Sequence, residues 1–194
     1  EHQKMGINSP LAFYISVDAK DSTRYATHVW QNGLGLPDRD YYFNETERFV
    51  KLRAGYLAHI ENMFNLAGLN DGKAAAETIM ALETKLAGFH WTKVESRDST
   101  KRYNKFNVSD LNTVTDAFNW TAYLAAQGVS AQTDLIVNQP SFVKGFGETL
   151  AATPLTDWQT YLTFHTLSNF AGSLTKALDD ENFDFFSKQL SGRE

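Results

Sequence analysis

The 194-residue chain contains no cysteine, which excludes disulfide staples, thiolate-ligated zinc, iron–sulfur clusters and thiol nucleophiles. It needs no staples, because a chain of this length buries roughly 70% of its unfolded surface on folding. Compartment stays open, since exported bacterial proteins often lack cysteine as well. Positive charge is also short. Lys and Arg number 18 against 23 Asp and Glu, a formal net charge of −5. No basic stripe is available to neutralise phosphates, so nucleic acid is not an expected partner. No apolar run approaches the ~20 residues of a membrane helix. The start, Glu1-His2-Gln3-Lys4-Met5-Gly6, has neither an initiator Met nor a signal-peptide pattern and reads as a cut inside a longer chain.

Local catalytic motifs are missing too. Zinc hydrolases set two histidines at i and i+4 of a helix, with a Glu between them as base. Here His2, His28, His59, His90 and His165 lie far apart in sequence, so no local pair begins such a site. Glu61 is two residues from His59 and points elsewhere on a helix. His165, on a face with Trp158 and Tyr161, reads as a packed, hydrogen-bonded histidine. There is no G-x-S-x-G elbow. Gly33-Leu34-Gly35-Leu36-Pro37 offers two glycines after a strand, but Pro37-Asp38-Arg39-Asp40 follows where a phosphate cradle needs Lys-Ser/Thr or a third Gly. It reads as a structural turn, with Arg39 expected to pair with Asp38, Asp40 or both. Pairing lowers a carboxyl pKa, the wrong direction for a general acid. Asp179-Asp180-Glu181 suits a helix start. The sequons at Asn44, Asn107 and Asn119 matter only in a glycosylating secretory pathway. No catalytic, metal-binding or substrate-binding residue is therefore assigned.

What is present is mostly helical periodicity in one region, 1–194, without repeats or a linker. Phe13, Ile15 and Val17 alternate with Tyr14, Ser16 and Asp18, the period-two pattern of a half-buried strand. A second β-rich run, Arg24 to Gln31, follows a polar loop, and the two read as an antiparallel hairpin. Such a hairpin is marginal alone and must lie on helices or gain a third strand; residues 134–138, stopped by Pro140, are the candidate. Helices are expected from an Asn44 cap with Glu47 three on, through Phe49 to Ala67, and closed by Gly68. Others follow from Asp71 through Phe89, as two short helices between Ser109 and Gly128 with the second starting at Asn119, and from Pro140 to Ala152. A long one capped by Thr156 carries Trp158 to Phe170, and a last one runs from about Asp180. The segment from Trp91 to Asn107 reads as irregular. The expected fold is mainly α, with six to seven helices and a small antiparallel hairpin near the N-terminus.

The stretch Gln31-Asn32-Gly33-Leu34-Gly35-Leu36-Pro37-Asp38-Arg39-Asp40-Tyr41-Tyr42 closely resembles the Q-x-G-L-G-L-P-x-R-D-Y-Y signature of the neprilysin-type zinc metallopeptidases. Further segments match in order: Lys4-Met5-Gly6-Ile7, the strand ending at Asp18, Ala81-Leu82-Glu83-Thr84-Lys85-Leu86-Ala87, and Trp91 to Asn104 with Arg97-Asp98 and Tyr103-Asn104. Trp158-Gln159-Thr160-Tyr161-Leu162 and Phe183-Asp184-Phe185 with Leu190-Ser191-Gly192 complete the set. The resemblance spans essentially the whole chain, and the absence of cysteine leans it towards the bacterial branch.

The resemblance implies an internal piece of the N-terminal region of a longer enzyme. In that family zinc is held by H-E-x-x-H and a later Glu in a C-terminal region, none of which occurs here, so no zinc ligand or base carries over. Zinc is expected in the parent and none on this chain. The partners implied are the C-terminal catalytic domain of the same polypeptide and oligopeptide substrates. The role implied is that of a lobe capping the active site and limiting substrate size, inert alone, in a periplasmic, secreted or membrane-anchored parent. Arg39 would be a packing and ion-pair residue of the turn. The alternative is a free-standing helical module that binds peptide or glycan, since the chain has 14 Phe, 8 Tyr and 4 Trp; at helical spacing these read first as core.

Overall fold

The structure, a computed structural model, describes residues 2–193. Strands β1 (Leu11–Asp18) and β2 (Asp21–Gln31) form the expected antiparallel hairpin, with Phe13 opposite Val29. The sheet is larger than the hairpin. β3 (Lys105–Asn107) and β4 (Asp134–Val137) complete four strands in the order β1-β2-β4-β3. β4 is the third strand expected at 134–138, and it runs parallel to β2, placing His28 beside Ile136 and Val29 beside Val137. β3 pairs antiparallel with the other edge of β4. It lies inside the stretch that reads as irregular, because three residues are too few to show an alternation.

The helices are α1 (Asp40–Phe43), α2 (Glu47–Leu66), α3 (Gly72–Phe89), α4 (Ser99–Arg102), α5 (Trp120–Ala126), α6 (Pro140–Ala152), α7 (Leu155–Phe170) and α8 (Lys176–Phe183). α8 continues as a π-helical stretch over Asp184–Leu190. Several ends follow the sequence signals. Asn119 accepts a hydrogen bond from the Ala122 amide at 2.9 Å, Pro140 opens α6, and past α2 the Leu69 amide reaches back to the Phe64 carbonyl at 3.0 Å.

Other ends shift. Asn44 spends its side chain on the Thr46 amide in a local turn, so Thr46 takes the N-cap position of α2. Pro154 stands before α7, leaving Thr156 inside the first turn, and α8 begins at Lys176 rather than near Asp180. Of the two short helices expected between Ser109 and Gly128, the first is a 3₁₀ helix over Val108–Thr113.

α3 is the axis of the helical layer and packs on α2, α6 and α7. Its Ile79, Leu82 and Leu86 join Tyr56, Ile60 and Met63 of α2, Phe142 of α6, and Tyr161 and Phe164 of α7 in one core. Each such side chain contributes about 1.5–3 kcal/mol by leaving water. The aromatics are mainly part of this core, as their spacing predicts. Face-on to it, the sheet contributes Val29, Leu135 and Val137, all fully buried. The alternation of β1 is only half used. Phe13 packs against the core, but Ile15 and Val17 remain 58% and 47% exposed because the distal hairpin projects past the helices.

Charge fastens that distal end instead. The Asp18 carboxylate accepts from the Lys20 amide and the Tyr103 hydroxyl, both at 2.9 Å, and lies near Arg24 and Lys105. Those two cations also clasp Asp134 at 3.0 and 3.2 Å. The network ties the hairpin turn to β3 and β4. The Lys20 amide, then Tyr103 and the two cations, hold the Asp18 carboxyl below its ordinary value of 3.8. Its stabilisation is therefore complete above pH 3.8 and lost as pH falls through the lower folded value. Asp18→Asn should lower the melting temperature at pH 7 and show a smaller further loss between pH 4 and 2 than the parent chain, measured by circular dichroism.

Candidate functional site

The signature loop, residues 31–42, leaves β2 and enters α1 between the sheet and the helical layer. Two glycines let it approach its surroundings closely. Gly33 has φ +93°, and a Cβ there would meet Pro10 Cα at 2.6 Å and the Tyr161 hydroxyl at 2.8 Å. Tyr161 donates to the Gly33 carbonyl at 2.7 Å. At Gly35 a Cβ would fall inside the Tyr56 hydroxyl. Asn32 anchors the start of the loop by donating to Asn8 Oδ1 and the Ser9 carbonyl, both at 2.8 Å.

Beneath the loop lies Glu83 of α3, fully buried. Its carboxylate accepts from the Tyr42 hydroxyl at 2.6 Å, from the Tyr56 hydroxyl at 3.1 Å and from His165 Nε2 at 2.8 Å. Tyr42 in turn accepts from the Leu36 amide at 3.1 Å. Asn8 Nδ2 lies 3.4 Å from His165 Nδ1, so the ring accepts there and donates through Nε2. Burial first, then the Glu83 charge, pushes the Tyr42 and Tyr56 hydroxyls far above 10, which keeps both protonated as donors. The loop is thereby bolted to α2, α3 and α7 at one point.

The outer side of the loop borders a cleft of about 300 Å³ whose lining includes Trp30, Leu36, Arg39, His90, Trp91 and Ser96. The expected pairing of Arg39 with its flanking acids does not form. Asp38 instead pairs through Oδ2 with Lys93 at 2.7 Å, while its Oδ1 accepts from the Asp40 amide at 2.8 Å. The Arg39 guanidinium sits 5.6 Å from the Phe43 ring.

Three buried histidines and the half-buried His90 occupy separate places. His28 stacks on Tyr14 at 4.9 Å. His59 lies on Phe185 and contacts Glu181 at 3.1 Å, His90 donates to the Asn32 carbonyl at 3.1 Å, and His165 is bound to Glu83 as described, among Tyr161 and Phe164. Burial, aided by Arg39, brings the His90 pKa down to about 4.

The N-terminal model of peptidase family M13 matches residues 1–194. The chain belongs to peptidase family M13. Endothelin-converting enzyme 1 of Cavia porcellus is 39% identical over 117 residues, covering 59% of this chain and 15% of that protein. Neprilysin-3 of Drosophila melanogaster is 24% identical over 192 residues, covering 92% of this chain and 24% of its own length. Among solved structures, the open state of the Mycobacterium tuberculosis zinc metalloprotease Zmp1 superposes with a TM-score of 0.92 at 35% identity, covering 99% of this chain and 30% of that one. The chain thus spans less than a third of the M13 proteins it matches, and the likeness to Zmp1 agrees with the bacterial branch.

The zinc implied by M13 membership does not fit the residues described here. Among them no group of three or more His, Asp or Glu could hold an ion, and His28, His59, His90 and His165 are spread over separate contacts. What sequence reading missed was Glu83. Its signal was available: a charged residue one position from Leu82 and four from Ile79 on the apolar face of α3, within a segment that resembles the M13 pattern.

Two outcomes follow from this geometry. Glu83→Ala removes the acceptor of two hydroxyls and an imidazole in a buried site, and should cost about 3 kcal/mol or more in urea unfolding. The depressed His90 pKa makes stability fall as pH drops from the ordinary 6.5 towards about 4, because the unfolded chain binds the proton first. That loss is roughly 3 kcal/mol, and His90→Gln should reduce it without abolishing the donor to Asn32.

Proposed function

We propose that this chain is a non-catalytic part of the N-terminal region of a zinc metalloendopeptidase that cleaves oligopeptides. In the parent it forms a helical lobe that caps the active site and limits the size of substrates. The catalytic zinc and its ligands belong to a C-terminal domain of the same polypeptide, which is the main partner of this lobe. The parent acts outside the cytoplasm, in the periplasm, secreted or anchored.

One observation carries the reading: the likeness to a zinc metalloprotease runs the full length of this chain while covering under a third of the other protein. Two features support it. The signature that marks the family is spent here on packing, through Gly33, Gly35 and Tyr42, and exposes no nucleophile–base pair. An apolar groove of about 390 Å³ beside Leu11, Phe118, Tyr123, Phe146 and Leu162 offers a surface for another domain. A free-standing aromatic-lined module gains little support, since Tyr56, Tyr161, Phe142, Phe164 and Phe185 are all fully buried.

The purified 194-residue chain with added zinc should leave a fluorogenic oligopeptide uncut, whereas the product of the full open reading frame should cleave it and lose that activity to a chelator. The full-length enzyme should also cleave the oligopeptide much faster than an unfolded protein chain of several hundred residues. Zinc-stimulated cleavage by the isolated chain would overturn the inert role, and equal rates on short and long substrates would overturn the size limit.

A further inference from the structure

Most polar groups around the cleft beside the signature loop satisfy one another. The Gln31 side-chain amide exchanges two hydrogen bonds with the Trp91 backbone, at 3.1 and 2.7 Å. His90 is used by the Asn32 carbonyl, and Asp38 by Lys93. The neighbouring Glu95 accepts from the Thr92 amide and hydroxyl. Two groups are left over. Arg39 Nε and Ser96 Oγ are both buried and have no hydrogen-bond partner among the described residues, and they belong to two half-buried residues of the cleft wall. A buried guanidinium N–H without an acceptor is costly, and an acceptor brought from outside would offset that cost.

The chemistry of the acceptor can be read from the walls. Arg39 Nε–H can only donate, and a guanidinium matches a carboxylate with a planar, two-point geometry. A doubly charged phosphate is disfavoured by Asp38 and Glu95 close by. Trp30, Trp91, Leu36 and Pro37 add apolar surface, so the carboxylate should be carried on an apolar segment. The volume is at the low end for ligand sites, about the space for one or two residues. We infer that this cleft binds a carboxylate of a peptide segment, held by the Arg39 guanidinium and the Ser96 hydroxyl, with Trp30 and Trp91 packing the adjoining side chain. The inference stands on the cleft alone and does not depend on the peptidase reading. A chain-terminal carboxylate and an Asp or Glu side chain share this chemistry.

Calorimetric titration of the 194-residue chain, with tryptophan indole shifts followed by NMR, separates the sources. The probes are an N-acetylated apolar tripeptide ending in a free carboxylate, the same peptide amidated, and an amidated version carrying an internal Glu. The free acid should bind, shift tryptophan indole signals, and lose affinity about tenfold or more on amidation. Binding recovered by the internal Glu identifies a side chain as an accepted source; binding of the free acid alone identifies the chain terminus. Arg39→Gln should weaken the acid about tenfold or more, with Arg39→Lys intermediate because it keeps the charge and loses the fork. Ser96→Ala, which removes only a hydroxyl, should weaken it several-fold and carries the test if the arginine variants do not fold. Equal affinity for acid and amide, no binding of either, or an unchanged affinity in folded Arg39→Gln or Ser96→Ala would overturn the proposal.

Discussion

A carboxylate placed in a protein interior loses its hydration, and only strong donors arranged around it make that tolerable. Glu83 is in that position, and its three donors come from α1, α2 and α7. Because the same Tyr42 that donates to Glu83 also receives the Leu36 amide, the carboxylate dictates where the signature loop lies. Gly35 follows from it, since the Tyr56 hydroxyl occupies the space where any side chain would go. The outer cleft follows as well, because its floor is the other side of this fixed loop. The twelve-residue motif, which reads as a structural turn, is in large part the solution to a buried charge.

The helices were legible because their signals are local. Periodic apolar residues, Asn119, Gly68 and Pro140 each act within a turn or two, and the structure keeps them. The sheet was legible only in part. The hairpin joins neighbours in sequence, but β3 pairs through three residues whose partner is decided by β4, so nothing near Lys105–Asn107 announces it. The exposed Ile15 and Val17 show the same limit, because alternation tells which face is apolar and not whether anything covers it. The two flanking acids predict an ion pair for Arg39, but the competing Lys93, distant in sequence, takes Asp38 instead. Glu83 was visible as a letter and invisible as a hub, since its partners come from Tyr42, Tyr56 and His165.

Membership of peptidase family M13 and the absence of a fitting ligand set among the described residues belong together. Among the described residues, His28, His59, His90 and His165 are committed to stacking, packing and hydrogen bonds in separate places. The signature loop positions backbone, through Gly33, Gly35 and the Leu36 amide. The charge network at Asp18 and the Glu83 hub are two clamps that keep the shape of the fold.

The parallel pairing of β2 with β4 sets an order of events in time. Its partners, His28 with Ile136 and Val29 with Val137, are separated by most of the helical layer in the chain, and non-local pairings of this kind slow folding because a large loop must close first. As the chain leaves the ribosome, the hairpin emerges with the inner edge of β2 unpaired, and that edge stays open until Val137 has been made. An open edge is a template for pairing with another chain. The window for misassembly therefore closes only when β4 slides in beside β2 and makes β2 an interior strand, with β1 at the edge of the sheet.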